Sequence, residues 1–118
     1  MNKNLRNIVV YVSGKYTGKD ADEVRENITN ARTTAILVWE AGFCCICPHT
    51  NTIFFEKDCL CTYDDYMAGD LELVNRCDAL LMLDNWLDSK GAKIEHEHAK
   101  KEGKLIFYSI QELREYYR

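Results

Sequence analysis

A chain of 118 residues fits one domain, 1–118, and leaves no room for two. Its 47% hydrophobic residues suffice for one modest core, and so thin a core favours association into oligomers. With 15 basic and 19 acidic residues the net charge is −4, which argues against duplex nucleic acid, because phosphate binding needs a basic surface.

The elements alternate along the chain. Ile8 to Ser13 is a short β-rich run that stops at Gly14. Asp22 to Ala41 reads as a helix, since Val24, Ile28, Ala31, Ala35 and Val38 recur at helical spacing and Gly42 suits its end. Phe43 to Cys47 is a second strand closed by Pro48, and Thr50 to Thr62 has no period and reads as a loop. Tyr63 to Arg76 is helical, with Met67, Leu71 and Val74 turned inward. The unbroken apolar run Ala79 to Leu83 suits a parallel strand covered on both faces. Ser89 to Glu102 is a helix capped by Ser89, Leu105 to Tyr108 the last strand, and Ser109 with Glu112 opens a terminal helix in the capping-box pattern.

Strands alternating with helices predict an α/β, Rossmann-like three-layer sandwich. Its parallel sheet has four to five strands, ordered 2-1-3-4, with helices on both faces. Ligands bind such sheets outside the carboxyl ends of the strands. That places the candidate site at Ser13 to Thr17, Pro48 to Asn51, and Asp84 through Gly91. No apolar run reaches the roughly 18–20 residues that span a bilayer. The opening MNKNLRNIVVYVSG has too short an apolar stretch for a signal peptide. The expected location is cytoplasmic, with no membrane partner and six reduced cysteines.

Three motifs invite a chemistry that their spacing denies. SGKYTGKD resembles a phosphate-binding loop, but Gly14 and Gly18 stand too close together. Asp20 also follows Lys19 where a Ser or Thr should hold magnesium. Cys45, Cys47, His49, Cys59 and Cys61 are zinc-type ligands, yet both pairs are CxC and lack the turn of a zinc knuckle. Neither disulfides nor zinc are expected. His96 and His98 lie about 200° apart on a helix and cannot share an ion. Glu95 is different. It shares a face with Ala92 and Ala99, small residues that pack a helix close to a sheet. A carboxylate there is either buried at a cost or has a task.

The segments VYVSGKYTG, DLELVNRCDALLML and SKGAKIEHEHAKKEGKLIFY, in this order and covering almost the whole chain, resemble the nucleoside 2-deoxyribosyltransferase superfamily. The nearest likeness is to its short phage and bacterial members, which read YxxGxYT, then CDALL, then SxGAxxExxxAxxxG. The resemblance implies a flavodoxin-like fold and cleavage of the N-glycosidic bond of a nucleoside or nucleoside 5′-monophosphate, by hydrolysis or transfer. Glu95 matches the nucleophile, Asp70 the carboxylate near the base, and Tyr11 the tyrosine that contacts the nucleophile. Ser89 stands where the transferases carry a second Asp, with Asp88 beside it. Related nucleotide N-glycosidases use serines there to hold a phosphate. The long C-terminal extension that completes a neighbour's site in the transferases is absent, and the resemblance implies a homodimer or larger assembly.

The chemistry agrees. One carboxylate can form a glycosyl intermediate while a second acid assists the departing base. The expected catalytic residues are Glu95, Asp70 and Tyr11. Ser13, Gly14, Tyr16, His49, Asp84, Ser89 and Gly91 are expected to line the substrate pocket, with no cofactor and no metal. The competing expectation is a non-catalytic nucleotide-binding sensor or sponge of the same fold. A third is a small metal-binding or interaction module built on the cysteines.

Overall fold

In the computed structural model, which describes residues 4–118, four strands form one sheet in the order β2-β1-β3-β4, and every neighbouring pair runs parallel. The strands are β1 (Leu5–Ser13), β2 (Phe43–Ile46), β3 (Ala79–Met82) and β4 (Leu105–Phe107). The helices are α1 (Ala21–Glu40), α2 (Pro48–Asn51), α3 (Tyr63–Arg76), α4 (Lys90–Lys101) and α5 (Ile110–Tyr116). The architecture and strand order are those the alternation of elements predicts, with four strands rather than five.

Side-chain alternation on the two central strands divides the interior. Val10, Ala79 and Leu81 pack with Val38 of α1, Phe43, Phe107 and Leu113 of α5. Tyr11, Leu80 and Met82 pack on the other face with Val74 of α3 and with Ala92 and Ala99 of α4. A period of two therefore sends Tyr11 and Ser13 toward α4, and Val10 and Val12 away from it. Burial on both faces explains why β3 is apolar without a break: all four of its residues are buried.

Polar groups set the boundaries. Asp20 accepts the Glu23 N–H at 2.9 Å, Ser89 the Ala92 N–H at 3.0 Å, and Ser109 the Glu112 N–H at 3.1 Å. The reciprocal half of the expected box at α5 is displaced by one residue, because the Glu112 carboxylate accepts from Tyr108 N–H, not from Ser109. Thr62 and Asp65 form a complete capping box that starts α3. Asp78 fastens β3 to β1: its carboxylate accepts the Val9 N–H at 2.8 Å, and its own N–H donates to the Val9 carbonyl at 2.8 Å.

Two expectations change. The first strand begins at Leu5 instead of Ile8, since Leu5 pairs with Phe43 across an irregularity in the ladder before Val9. Thr50 to Thr62 is not a plain loop. It closes α2 and then makes a 3-10 turn at Phe55–Lys57. Phe54 ahead of that turn takes a left-handed backbone conformation, φ 57°. Leu113 is fully buried and joins α5 to the core. Leu113→Ala should lower unfolding free energy by about 2–5 kcal/mol, read as a shifted midpoint in urea with an unchanged m-value.

Candidate functional site

At the carboxyl ends of the strands lies a cavity of about 780 Å³. Its wall is built from the turn after β1, from α2 and the segment following it, from one face of α3, and from the start of α4. Glu95 stands at its floor. The residue is 6% exposed, and Ala92 and Ala99 are the other buried residues of its helix. Both oxygens are held from β1: Ser13 Oγ donates to Oε1 at 2.6 Å and Tyr11 Oη to Oε2 at 2.8 Å. Burial pushes the Glu95 carboxyl up to about 7, against the pull of the two hydroxyls and with a further push from Asp70. The Tyr11 phenol is likewise raised, first by burial and then by Glu95.

Asp70 lines the same cavity from α3, and burial pushes its carboxyl up to about 6. Tyr63, Tyr66 and Met67 share that wall, at positions one and two helical turns from Asp70. Among the described residues neither Glu95 nor Asp70 is in an ion pair.

The two glycines of the site are there for close approach. A Cβ on Gly14 would fall 2.7 Å from Leu83 Cβ, and one on Gly91 would fall 3.3 Å from Tyr63 Oη. Ser89 caps α4, so its hydroxyl and the Ala92 N–H are already engaged with each other. The N–H groups of Lys90 and Gly91, the first two of the helix, have no carbonyl partner within it, since the first such bond is from the Lys93 N–H to the Ser89 carbonyl.

Tyr16 and His49 form the opposite wall. Tyr16 Oη donates to the Glu56 carboxylate at 2.8 Å and accepts the Phe54 N–H at 3.2 Å. This pins the segment after α2 across the cavity mouth and offsets the left-handed conformation of Phe54. His49 is 4% exposed, packs its ring against Tyr16 with centroids 5.8 Å apart, and meets the Lys15 carbonyl through Nε2 at 2.9 Å.

The structure thus brings Glu95, Asp70, Gly14, Tyr16, His49, Ser89 and Gly91 to one cavity, with Tyr11 and Ser13 behind Glu95. Asp84 is not brought to this cavity. It is exposed and outside the lining, because β3 residues Leu80 and Met82 point to the α4 face while the chain turns away after Leu83. Its neighbour Asn85 serves the site instead, accepting the Lys15 N–H at 2.9 Å and fixing the turn after β1. The apolar run Ile53-Phe54-Phe55 is outside the lining too, with Ile53 41% and Phe55 45% exposed. The segment covers the cavity through Thr52, Glu56 and Cys61. All six cysteines are free thiols, and no three His, Cys, Asp or Glu side chains among the described residues are grouped to hold a metal. No helix among the described residues is long and apolar enough to cross a membrane.

Sequence reading missed Tyr63, Tyr66, Glu56, Lys90 and Asn85. The spacing of Tyr63, Tyr66, Met67 and Asp70 on one helical face was the available signal.

Residues 8–108 match the family described as Domain of unknown function (DUF4406). The chain belongs to this family. None of the curated proteins matches it. Among solved structures, it is similar to a 2-deoxyribosyltransferase from the psychrotolerant bacterium Bacillus psychrosaccharolyticus, described as a biocatalyst for the synthesis of nucleosides. The TM-score is 0.59 at 16% identity, over 83% of this chain and 69% of that one. This DUF4406 member therefore has the fold of a nucleoside 2-deoxyribosyltransferase, the flavodoxin-like fold that the sequence resemblance implies.

The raised carboxyl of Glu95 links stability to pH. In the folded chain it binds its proton more tightly than in the unfolded chain, where the ordinary value is 4.5. Between about 4.5 and about 7 the native state holds the extra proton, so stability falls as pH rises through that window. The stabilisation is complete below 4.5 and lost above about 7. Asp70 acts in the same direction between 3.8 and about 6. Urea unfolding of wild type and Glu95→Gln at pH 5 and pH 8 should show wild type losing more stability than the variant on going to the higher pH. The excess should be on the order of 1–3 kcal/mol. Parallel pH profiles would contradict the burial argument.

Proposed function

We propose that this protein cleaves the N-glycosidic bond of a nucleoside or nucleoside 5′-monophosphate, with Glu95 as nucleophile. The observation that carries the reading is the buried Glu95 carboxylate, held by Tyr11 and Ser13 at the floor of a cavity that also contains Asp70. The shared fold with a 2-deoxyribosyltransferase supports it.

In the proposed reaction a Glu95 oxygen attacks C1′ as the C1′–N bond breaks. The electron pair of that bond leaves with the base, which takes a proton from Asp70. The result is a glycosyl ester on Glu95 and a free base. Water, or a second base, then attacks C1′ as the bond from C1′ to the Glu95 oxygen breaks; Asp70 takes the nucleophile's proton, and both carboxyls return to their starting states, giving hydrolysis or transfer. Tyr11 and Ser13 position the nucleophile. Each occupies one lone pair of a carboxylate oxygen and leaves another for C1′. The free N–H groups at the start of α4, with Ser89 and Lys90, suit the sugar or its phosphate.

Glu95 must be ionised and Asp70 protonated, while burial holds their carboxyls near 7 and 6 respectively. The two steps belong to the pair rather than to either residue. The rate should therefore peak between about pH 6 and pH 7 and fall on both sides.

Incubation with a panel of nucleosides and 5′-monophosphates, followed by chromatography for free base, tests the reading. Glu95→Ala should lower base release by at least about 10³-fold with the fold retained. Asp70→Asn should slow it by about 10²–10⁴-fold, most for poor leaving bases. Wild-type rates in Glu95→Ala would remove the nucleophile assignment. Tight binding of a nucleotide without any base release would favour the sensor reading.

A further inference from the structure

The segment that covers the cavity after α2 carries two cysteines that the proposed reaction leaves unused, Cys59 and Cys61. Leu60 between them is fully exposed, while the two thiols turn back and meet each other. Three donors converge on Cys59 Sγ. The Cys61 N–H donates to it at 3.4 Å, and the Cys61 thiol and the Tyr66 hydroxyl are its other partners. Tyr66 Oη is buried and has no oxygen or nitrogen partner among the described residues, so this sulfur is the acceptor left for its proton. Donors gathered around one sulfur favour its thiolate. They hold the Cys59 thiol below its ordinary 9.0, Tyr66 foremost, against the opposing effects of burial and of Asp65. Cys61, the donor in that contact, is raised by it. Deeper thiols behave differently: burial pushes Cys45 up to about 12 and Cys77 up to about 11, and it raises Cys47 as well. Cys59 is half-buried and Cys61 exposed, so a reagent in solution reaches the pair.

We propose that Cys59 and Cys61 are a reversible thiol–disulfide pair on the wall of the cavity, oxidised by small-molecule disulfides, with Cys59 the attacking and Cys61 the resolving sulfur. The Cys59 thiolate attacks one sulfur of the small disulfide; the S–S bond breaks, a mixed disulfide forms on Cys59, and a small thiolate leaves. Cys59 then carries no charge, so the contact that held the proton on Cys61 is gone. Cys61 loses that proton to solvent and attacks Cys59 Sγ, which expels the second small thiolate. The two cysteines give up two electrons and two protons, and the small disulfide takes them up as two thiols. Neither step draws on the glycosidase chemistry. Cys61 and Tyr66 both line the cavity. Closing the disulfide takes the thiol from Cys61 and the charged acceptor from Tyr66, so the wall of the site changes with the thiol–disulfide balance around it. An exposed disulfide is also readily reduced, which makes the change reversible.

In the test, the protein is incubated with reduced and oxidised glutathione in graded ratios, its free thiols are trapped by alkylation, and the cysteine-bearing peptides are weighed. Cys59 and Cys61 should leave the alkylated pool together, as one bond within one peptide, and return with dithiothreitol. Cys45, Cys47 and Cys77 should remain free throughout. In Cys61→Ser, oxidation should stop at a glutathione adduct on Cys59. In Cys59→Ser, the adduct on Cys61 should form at least about tenfold more slowly. Tyr66→Phe should move the pH profile of Cys59 alkylation upward, which a purely packing role of that residue would not do. If a variant does not fold, the wild-type peptide masses decide alone. Oxidation first at another cysteine overturns the proposal, as does a glutathione adduct that persists on Cys59 of the wild type. So does full alkylation of both thiols after oxidised glutathione alone. An unchanged pH profile in folded Tyr66→Phe overturns the part given to its hydroxyl.

Discussion

The buried carboxylate of Glu95 and the two hydroxyls that hold it set the terms for the rest of the molecule. Tyr11 and Ser13 are two residues apart on one strand, so they reach the same face of the sheet only while β1 stays extended. A slip of one residue would send both to the α1 side and replace them with Val10 and Val12. The arrangement around Glu95 therefore depends on register. It is secured by parallel pairing with β2 and β3 on either side and by the reciprocal bonds between Val9 and Asp78. On the helix side, Ala92 and Ala99 let α4 come close enough for a glutamate to span the gap to the strand. A bulkier residue at either place would hold the helix off and leave the carboxylate short of both donors.

Most of the architecture was legible because it follows from periodicity. The run Ala79 to Leu83, the helical stripe on α1 and the Ser89 cap each have one physical reading, and the structure has those elements within a residue or two. The order of strands followed from right-handed crossovers in a short alternating chain. The grouping of Glu95 with Ala92 and Ala99 on one face was equally legible, since helix spacing alone fixes it.

What sequence could not yield lies where the chain is irregular. Between Cys47 and Thr62 there is no period to read, and the path depends on single long-range bonds: Tyr16 to Glu56, Tyr16 to Phe54, His49 to Lys15. Each joins residues more than thirty positions apart, and none has a local signature. The composition of the run Ile53 to Phe55 does not say which of its side chains face the cavity. Around the left-handed turn at Phe54, Ile53 and Phe55 are exposed, while Thr52 and Glu56 line the cavity. The placing of Asp84 outside the lining has a related cause. Its position at the end of a central strand is right for a site, but the chain turns after Leu83, and Asn85 takes the inward place.

The electrostatics of the cavity explain why two carboxyls sit so close to neutrality. Among the described residues no lysine or arginine pairs with Glu95 or Asp70, and desolvation is the leading cause of both raised values. A fixed cation beside Glu95 would lower its carboxyl toward the ordinary range and relieve the native state. It would also neutralise the one charge that the proposed reaction needs. Cleavage at C1′ develops positive charge on the sugar, and an anion in a water-poor site without a resident counter-ion interacts with that charge far more strongly than it would in water. The missing counter-ion thus raises the energy of the ionised resting site. In the proposed reaction it is the transition state that brings the compensating charge. The stability lost by burying Glu95 and the stabilisation of an oxocarbenium-like sugar have the same physical origin, so a substitution that relieved the first would weaken the second.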